Sequence, residues 1–160
     1  MDYSWITAGK VSVVCVGNEL NGDDGFGKRL YDRIEDLGSP RLQVIYASTA
    51  PENFIDEILE FSPDLVAVFD AADFGGKPGE VRELSLGDLE STSFSTHRAP
   101  MKLFSKFFES KKIPVKFIGV QARETGLGER MSEEVENAVF EVAARIRVCL
   151  LPPAGLGKRS

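Results

Sequence analysis

Four short apolar runs, rich in β-branched and aromatic residues, are spaced along the chain. They are nearly continuous rather than alternating, which is typical of strands covered on both faces in a parallel sheet. The runs are Val11–Val16, Leu42–Tyr46, Leu65–Phe69 and Val115–Val120. The pattern therefore predicts four buried strands.

Between these runs, apolar residues recur at helical spacing. We expect a third helix from about Pro100 to Glu109 and a last helix that begins with Ser132 as its N-cap. The four stripes of inward-facing residues are Phe26, Leu30, Ile34 and Leu37; Phe54, Ile55, Ile58, Leu59 and Phe61; Met101, Leu103, Phe104, Phe107 and Phe108; and Val135, Val139, Val142, Ala143 and Ile146.

The alternation of strands and helices predicts a three-layer α/β/α sandwich with a mainly parallel sheet, because parallel neighbours need crossover helices of this length. After the turn at residues 74–79, Glu80–Leu84 is expected to add a short strand at an edge, and its antiparallel orientation is left open. We expect residues 1–151 to form a single domain and residues 152–160 to be a disordered tail.

Composition narrows the classes of protein that fit. The 160 residues carry a net charge of −6, which argues against a nucleic-acid partner. No apolar stretch approaches the roughly 18–20 residues that span a bilayer. The two cysteines, Cys15 and Cys149, are too few for a disulfide framework, so we expect buried thiols in a reducing compartment. These features predict a cytoplasmic, monomeric protein.

The first turn after a predicted strand is acidic. It spans Gly17–Gly27 and carries Glu19, Asp23 and Asp24. A glycine-rich turn in this position usually holds a phosphate, but these carboxylates would repel one. The turn therefore suits a cation or a carboxylate that transfers protons. The alternative for Asp23 is structural, because one aspartate of such a pair commonly caps the following helix while the other points elsewhere.

Two further residues are predicted at the same edge of the sheet. Asp70 ends the third apolar run and, in a doubly wound order, lies near Asp24, whereas the only histidine, His97, precedes the third predicted helix. Alone, Asp70 could cap a turn and His97 could be a surface residue. Together the two carboxylates and one imidazole suit a borderline divalent ion such as nickel or zinc, with coordination positions left open. The loop Glu124–Arg130 belongs to the same rim, either as a partner-binding segment or as a solvated connector.

Other site chemistries find less support. No Gly-x-Ser-x-Gly turn indicates a serine triad, and no cysteine cluster indicates a structural zinc site. A receiver-like phosphoacceptor module that binds magnesium would also place acidic residues after the first and third strands. It would need a lysine after the last strand, where the sequence has Gln121, Ala122 and Arg123.

From about Val11 to Val148, several ordered motifs resemble those of the nickel-iron hydrogenase maturation endopeptidases. The likeness is strongest to the branch that processes hydrogenase-3 type and related formate-linked or energy-converting hydrogenases. Two positions depart from the family's pattern, which often has proline at Ala122 and leucine at Met131. The matching segments are residues 17–27, 49–53, 70–73, 78–80, 95–97, 118–121 and 131–135.

The resemblance implies a twisted five-stranded sheet between helices and a nickel-recognising site made of Asp24, Asp70 and His97. It implies an endopeptidase that removes a short C-terminal extension from the hydrogenase large-subunit precursor after nickel insertion. Nickel would then arrive with the substrate, and the isolated enzyme need not hold a metal. Nickel could polarise the scissile carbonyl or activate water, with a carboxylate as general base. Alternatively, the site could only position nickel, and the hydrolytic machinery would be assembled jointly with the substrate. A non-catalytic nickel chaperone is the remaining alternative.

Overall fold

A single mixed sheet organises the chain in the computed structural model, which describes residues 1–91 and 98–152. The five strands of this part lie in the order β2-β1-β3-β5-β4, and only β4 runs antiparallel to its neighbour. The strands are β1 (Val11–Val16), β2 (Leu42–Ser48), β3 (Leu65–Ala72), β4 (Val81–Leu84) and β5 (Val115–Gln121). The predicted fold class and the extra edge strand are confirmed, and the edge strand is antiparallel.

Helices cover both faces of this sheet. Short 3₁₀ turns precede α1 and α2, and the α-helices of the described residues connect the strands. They are α1 (Phe26–Ile34), α2 (Ile55–Phe61), α3 (Leu86–Ser91), α4 (Arg98–Ser110) and α5 (Glu133–Leu150). No helix in the described ranges has the length and apolar character needed to cross a membrane.

Two apolar cores fill the space between the sheet and the helices. On one face, Phe26 and Leu30 of α1 pack with Val139 and Ile146 of α5 against the sheet. On the other face, α2, α3 and α4 contribute another set of buried side chains, which includes Ile58, Leu89, Met101, Phe104 and Phe108. Because both faces of the central strands are covered, β1 is buried along its whole length.

The structure corrects two details of the helix prediction. Helix α3 lies between β4 and α4, where no helix was expected, because its six residues are too few to show a helical period. Leu103 was predicted to point inward but is exposed, whereas Met101, Phe104 and Phe108 are buried. These three residues follow the spacing of one helix face, and Leu103 falls off it. Most of the predicted tail, residues 153–160, lies outside the described residues.

Candidate active site

The first acidic turn places Asp24 in a buried position at the carboxyl end of β1. Asp24 lies in the 3₁₀ turn Gly22–Gly25 and is 6% exposed. The Asn18 N–H donates a hydrogen bond of 3.0 Å to its Oδ2. The loop closes tightly here, because a Cβ on Gly17, where φ is +141°, would lie 2.0 Å from the Asp24 carbonyl oxygen. The glycine therefore allows the chain to fold back over Asp24.

Asp70 lies within β3, in register with Gly119 of β5. Alternation along the strand puts it on the same face as Val68 and Ala72, which belong to the core under α2 and α4. Asp70 is 1% exposed. As predicted, β1 and β3 are parallel neighbours, so their carboxyl ends meet at one edge of the sheet.

The Asp70 carboxylate has an unusual environment. Among the described residues, neither of its oxygens has a hydrogen-bond partner. Burial raises the pKa of Asp70 well above its ordinary value, and the negative charge of Asp24 raises it further. The nearby Ala71 N–H lowers the pKa of Asp70 by a smaller effect, although this N–H does not form a hydrogen bond with the carboxyl group. The protein therefore keeps a carboxyl group where its ionised form is disfavoured.

The structure thus brings two of the three predicted site residues together, since the charge of Asp24 acts on Asp70. The third, His97, lies outside the described residues. Within the part of the chain that is described, no group of three or more histidine, cysteine, aspartate or glutamate side chains could hold a metal ion. The assignment of Asp24, Asp70 and His97 as one metal-recognising site stays a prediction.

Asp23 has a role that the sequence did not indicate. It is fully buried, and its carboxylate accepts hydrogen bonds from the N–H groups of Arg123 (2.7 Å), Glu124 (2.8 Å) and Ser132 (2.7 Å). The Ser132 hydroxyl adds contacts of 2.9 Å to both carboxylate oxygens. Asp23 thereby ties the acidic turn to both ends of the loop that leads into α5.

This arrangement bears on two capping predictions, of which the N-cap position of Ser132 is confirmed. Neither aspartate of the pair caps α1, whose N-cap is Gly25 without a side-chain bond. Ser132 does occupy the N-cap position of α5, but its side chain makes no capping bond to the helix, because its hydroxyl donates to Asp23.

Gln121 stabilises the chain that follows Asp70. Its buried amide oxygen accepts the N–H groups of Phe74 (2.9 Å) and Gly76 (3.0 Å). Its amide nitrogen donates to Asp73 Oδ1 (3.1 Å) and to the Ala122 carbonyl (3.0 Å). The side chain that ends β5 therefore serves the β3–β4 connection, and it is not the lysine that a receiver-like phosphoacceptor site requires.

A cavity of about 350 Å³ opens beside the acidic turn. It lies between this turn, α1 and the loop before α5. Charged side chains of both signs line it: Glu19, Arg29, Glu129, Arg130 and Glu136. The rim loop predicted from the sequence therefore borders a concave surface next to the candidate site.

Buried carboxyl groups at the carboxyl ends of adjacent parallel strands are common at the functional sites of open α/β folds. Comparison with known proteins identifies the family. The family model described as hydrogenase maturation protease matches residues 27–147, a range that includes Asp70 and His97 and begins after Asp24. The chain belongs to the hydrogenase maturation protease family and is accordingly a hydrolase.

Individual relatives agree with the family match. The chain is 32% identical over 135 residues to the hydrogenase 3 maturation protease of Escherichia coli K12. The aligned region covers 84% of this chain and 86% of that protein. The crystal structure of a [NiFe] hydrogenase maturation protease from Thermococcus kodakarensis superimposes with a TM-score of 0.78 at 31% identity, covering 88% of this chain and 92% of that one. The solution structure of an Escherichia coli endopeptidase gives a TM-score of 0.77 at 30% identity, covering 87% and 90%.

Proposed function

We propose that this protease removes a short C-terminal extension from the large-subunit precursor of a nickel-iron hydrogenase after nickel has been inserted. The observation that carries the proposal is the buried Asp70 carboxyl group, unpartnered within the described residues, beside Asp24. A folded protein retains such a group at a cost in stability, and groups of this kind concentrate at functional sites. Family membership supplies the reaction class, peptide-bond hydrolysis.

The electrostatics of the Asp24–Asp70 pair favour the binding of a cation. Burial and the Asp24 charge both disfavour the ionised form of Asp70, and a cation between the two carboxylates would reverse this effect. If the cation arrives with the substrate, the free energy of binding the cation stabilises only the complex with cation-loaded substrate. Precursor that lacks the ion gains nothing at this site, which gives the enzyme a means of discrimination.

Nickel suits the proposed donor set. Carboxylate oxygens from Asp24 and Asp70 and an imidazole nitrogen from His97 form a mixed set, and imidazole is a preferred ligand of nickel. Three protein ligands leave coordination positions for groups of the precursor. Nickel is thus treated as cargo of the substrate, and the residues of this chain complete its coordination.

Hydrolysis also needs a group that accepts or donates a proton. Asp70 is suited to holding a proton in the free enzyme, because its pKa is raised. The Asp24 carboxylate has a different role, since its Oδ2 accepts a hydrogen bond from the Asn18 N–H. A cation brought by the substrate would displace the proton of Asp70, and the leaving amine nitrogen of the scissile bond would accept it. Either carboxylate could then act on the attacking water, as in other paired-carboxyl sites.

The remaining parts of the proposal concern the state of the protein in the cell. We infer a monomer in the cytoplasm, where the free cysteines Cys15 and Cys149 stay reduced. Only Cys15 is fully buried; Cys149 is half-buried, although a core position was expected. Burial raises the pKa of the Cys15 thiol far above its ordinary range, which makes the thiol unreactive.

The test is cleavage of nickel-loaded precursor by the wild type and by Asp24→Asn, Asp70→Asn and His97→Ala. Glu60→Gln, on the exposed surface of α2, is the control. We expect the three site variants to lose at least about 100-fold in kcat/KM, and the control to match the wild type. Mass spectrometry of the precursor's C-terminus measures the product directly.

A kcat/KM of Asp70→Asn or Asp24→Asn equal to that of the wild type would contradict the assignment of the site. Tight nickel binding by the free protein without any cleavage of its cognate precursor would instead identify a chaperone. Circular dichroism of each variant distinguishes loss of chemistry from loss of fold.

A further inference from the structure

Two leucines are exposed on the rim beside the candidate site. Leu20 is 63% exposed and Leu127 is 80% exposed, although large aliphatic side chains are usually buried. They lie on different loops, and the Gly128 N–H joins these loops by a 2.9 Å hydrogen bond to the Leu20 carbonyl oxygen. We call these two side chains the leucine rim.

The leucine rim rests on an ordered framework. Asp23 holds the start and the end of the loop that carries Leu127, through the N–H groups of Arg123, Glu124 and Ser132. Within the loop, the Glu129 N–H donates to the Gly126 carbonyl oxygen at 3.1 Å. A loop fixed at both ends and in the middle loses little conformational entropy when a partner binds, so its exposed side chains can contribute fully to affinity.

The surroundings resemble the edge of a protein–protein interface. The 350 Å³ cavity next to the leucine rim is lined by charged groups, and Arg29 Nη1 lies 3.7 Å from Glu136 Oε1. Apolar contacts bordered by charged side chains are the usual anatomy of protein recognition surfaces.

We propose that the leucine rim docks an apolar segment of the precursor polypeptide next to the bond that is cleaved. This inference rests on the proposed function and names the surface that would deliver the substrate. Continuity with the site identifies the occupant: Leu20 belongs to the same acidic turn as Asp24, whose carboxylate is bonded to the Asn18 N–H. A polypeptide whose scissile bond reaches Asp24 comes within reach of Leu20.

The chain provides a matched control for the test. Leu103 on α4 is 69% exposed, so Leu103→Asp introduces the same charge at a similar exposure in a different element. We expect Leu20→Asp and Leu127→Asp each to raise the KM for precursor and the Kd for precursor binding about 10-fold, with kcat and Tm unchanged. Leu103→Asp should leave all four quantities at wild-type values.

Three results would overturn the inference. The first is a KM and Kd of Leu20→Asp and Leu127→Asp equal to those of Leu103→Asp. The second is a loss of kcat without a change in Kd. The third is sedimentation showing that the wild type dimerises and that the rim variants are monomers, which would make the leucine rim a self-interface.

Failure of the proposed function has a different signature. If the wild type binds precursor but does not cleave it, the hydrolytic assignment is wrong. The binding assay still decides whether the leucine rim is the docking surface.

Discussion

Replacing Asp70 with asparagine should make this protein more stable while abolishing cleavage. Asparagine has nearly the same shape as aspartate and cannot ionise. In the wild type, the buried carboxyl group has no hydrogen-bond partner among the described residues, and Asp24 adds repulsion. The substitution therefore removes an electrostatic penalty and leaves the packing of β3 unchanged.

The size of the effect follows from the burial of the group. A buried polar group without a partner costs about 1–3 kcal/mol, and a charged group costs more. Because the described residues offer no hydrogen-bond partner to asparagine at this position either, the substitution recovers only the part of the cost that is due to charge. We expect the free energy of unfolding at pH 7 to rise by about 1–2 kcal/mol, which corresponds to an increase in Tm of roughly 2–4 °C per kcal/mol.

The pH dependence gives a sharper signature. The pKa of Asp70 is raised in the folded state, so the folded protein binds this proton more tightly than the unfolded chain does. The contribution of Asp70 to the free energy of unfolding is fully present below its pKa in the unfolded chain, about 3.9. It is lost as the pH rises toward the pKa of Asp70 in the folded protein. The advantage of Asp70→Asn should be largest at neutral pH and should disappear as pH falls toward 4.

Urea unfolding at several pH values between 4.5 and 8, followed by circular dichroism, measures the difference. Glu60→Gln, an exposed carboxylate in α2, is the control and should stay within about 0.5 kcal/mol of the wild type. A destabilised Asp70→Asn variant, or an advantage independent of pH, would refute the reasoning. The first result would mean that the fold stabilises the ionised carboxylate, and the second that the gain in stability does not come from ionisation of Asp70.

Three further substitutions, with Gly87→Ala as a control for one of them, test the framework around the site. Asp23→Ala should lower the free energy of unfolding by about 3 kcal/mol or more in urea titrations, because it leaves the buried N–H groups of Arg123, Glu124 and Ser132 without an acceptor. Wild-type stability of this variant would show that the Asp23 carboxylate does not hold the loop before α5. Gly27→Ala should cost about 1–3 kcal/mol by the same measurement, since its Cβ would lie 2.2 Å from the Val16 carbonyl oxygen. Gly87→Ala, at an exposed position of α3, is its control and should be neutral or stabilising. Gln121→Met should lower Tm by several degrees, because the side chain loses four hydrogen bonds. An unchanged Tm would show that other contacts hold the β3–β4 connection.

The sequence predicted the elements whose signals are local. Nearly continuous apolar runs gave the central strands, although β2 and β3 extend to Ser48 and Ala72 beyond the predicted ends. The doubly wound order placed β1 beside β3, and this adjacency brings Asp24 near Asp70. Fold class and adjacency follow from periodicity and from the rules that govern crossover connections.

Features that depend on distant contacts could not be predicted in this way. Asp23 binds Ser132 across 109 positions of the chain, and no local pattern distinguishes it from the neighbouring Asp24. That Asp70 has no hydrogen-bond partner within residues 1–91 and 98–152 is likewise a property of the packed fold, because an aspartate at a strand end commonly caps a turn. Both residues depart from local rules at the candidate site, where such departures are expected.

The central claim is that nickel in the substrate controls proteolysis, and the most direct measurement compares nickel-loaded and nickel-free precursor. Each form is incubated with the wild-type protein, and the mass of the precursor's C-terminus is followed over time. The account predicts trimming of the loaded form at a rate at least about 100-fold higher than that of the nickel-free form. Equal trimming of both forms would contradict it, because the carboxyl pair would then act without the ion that it is proposed to recognise.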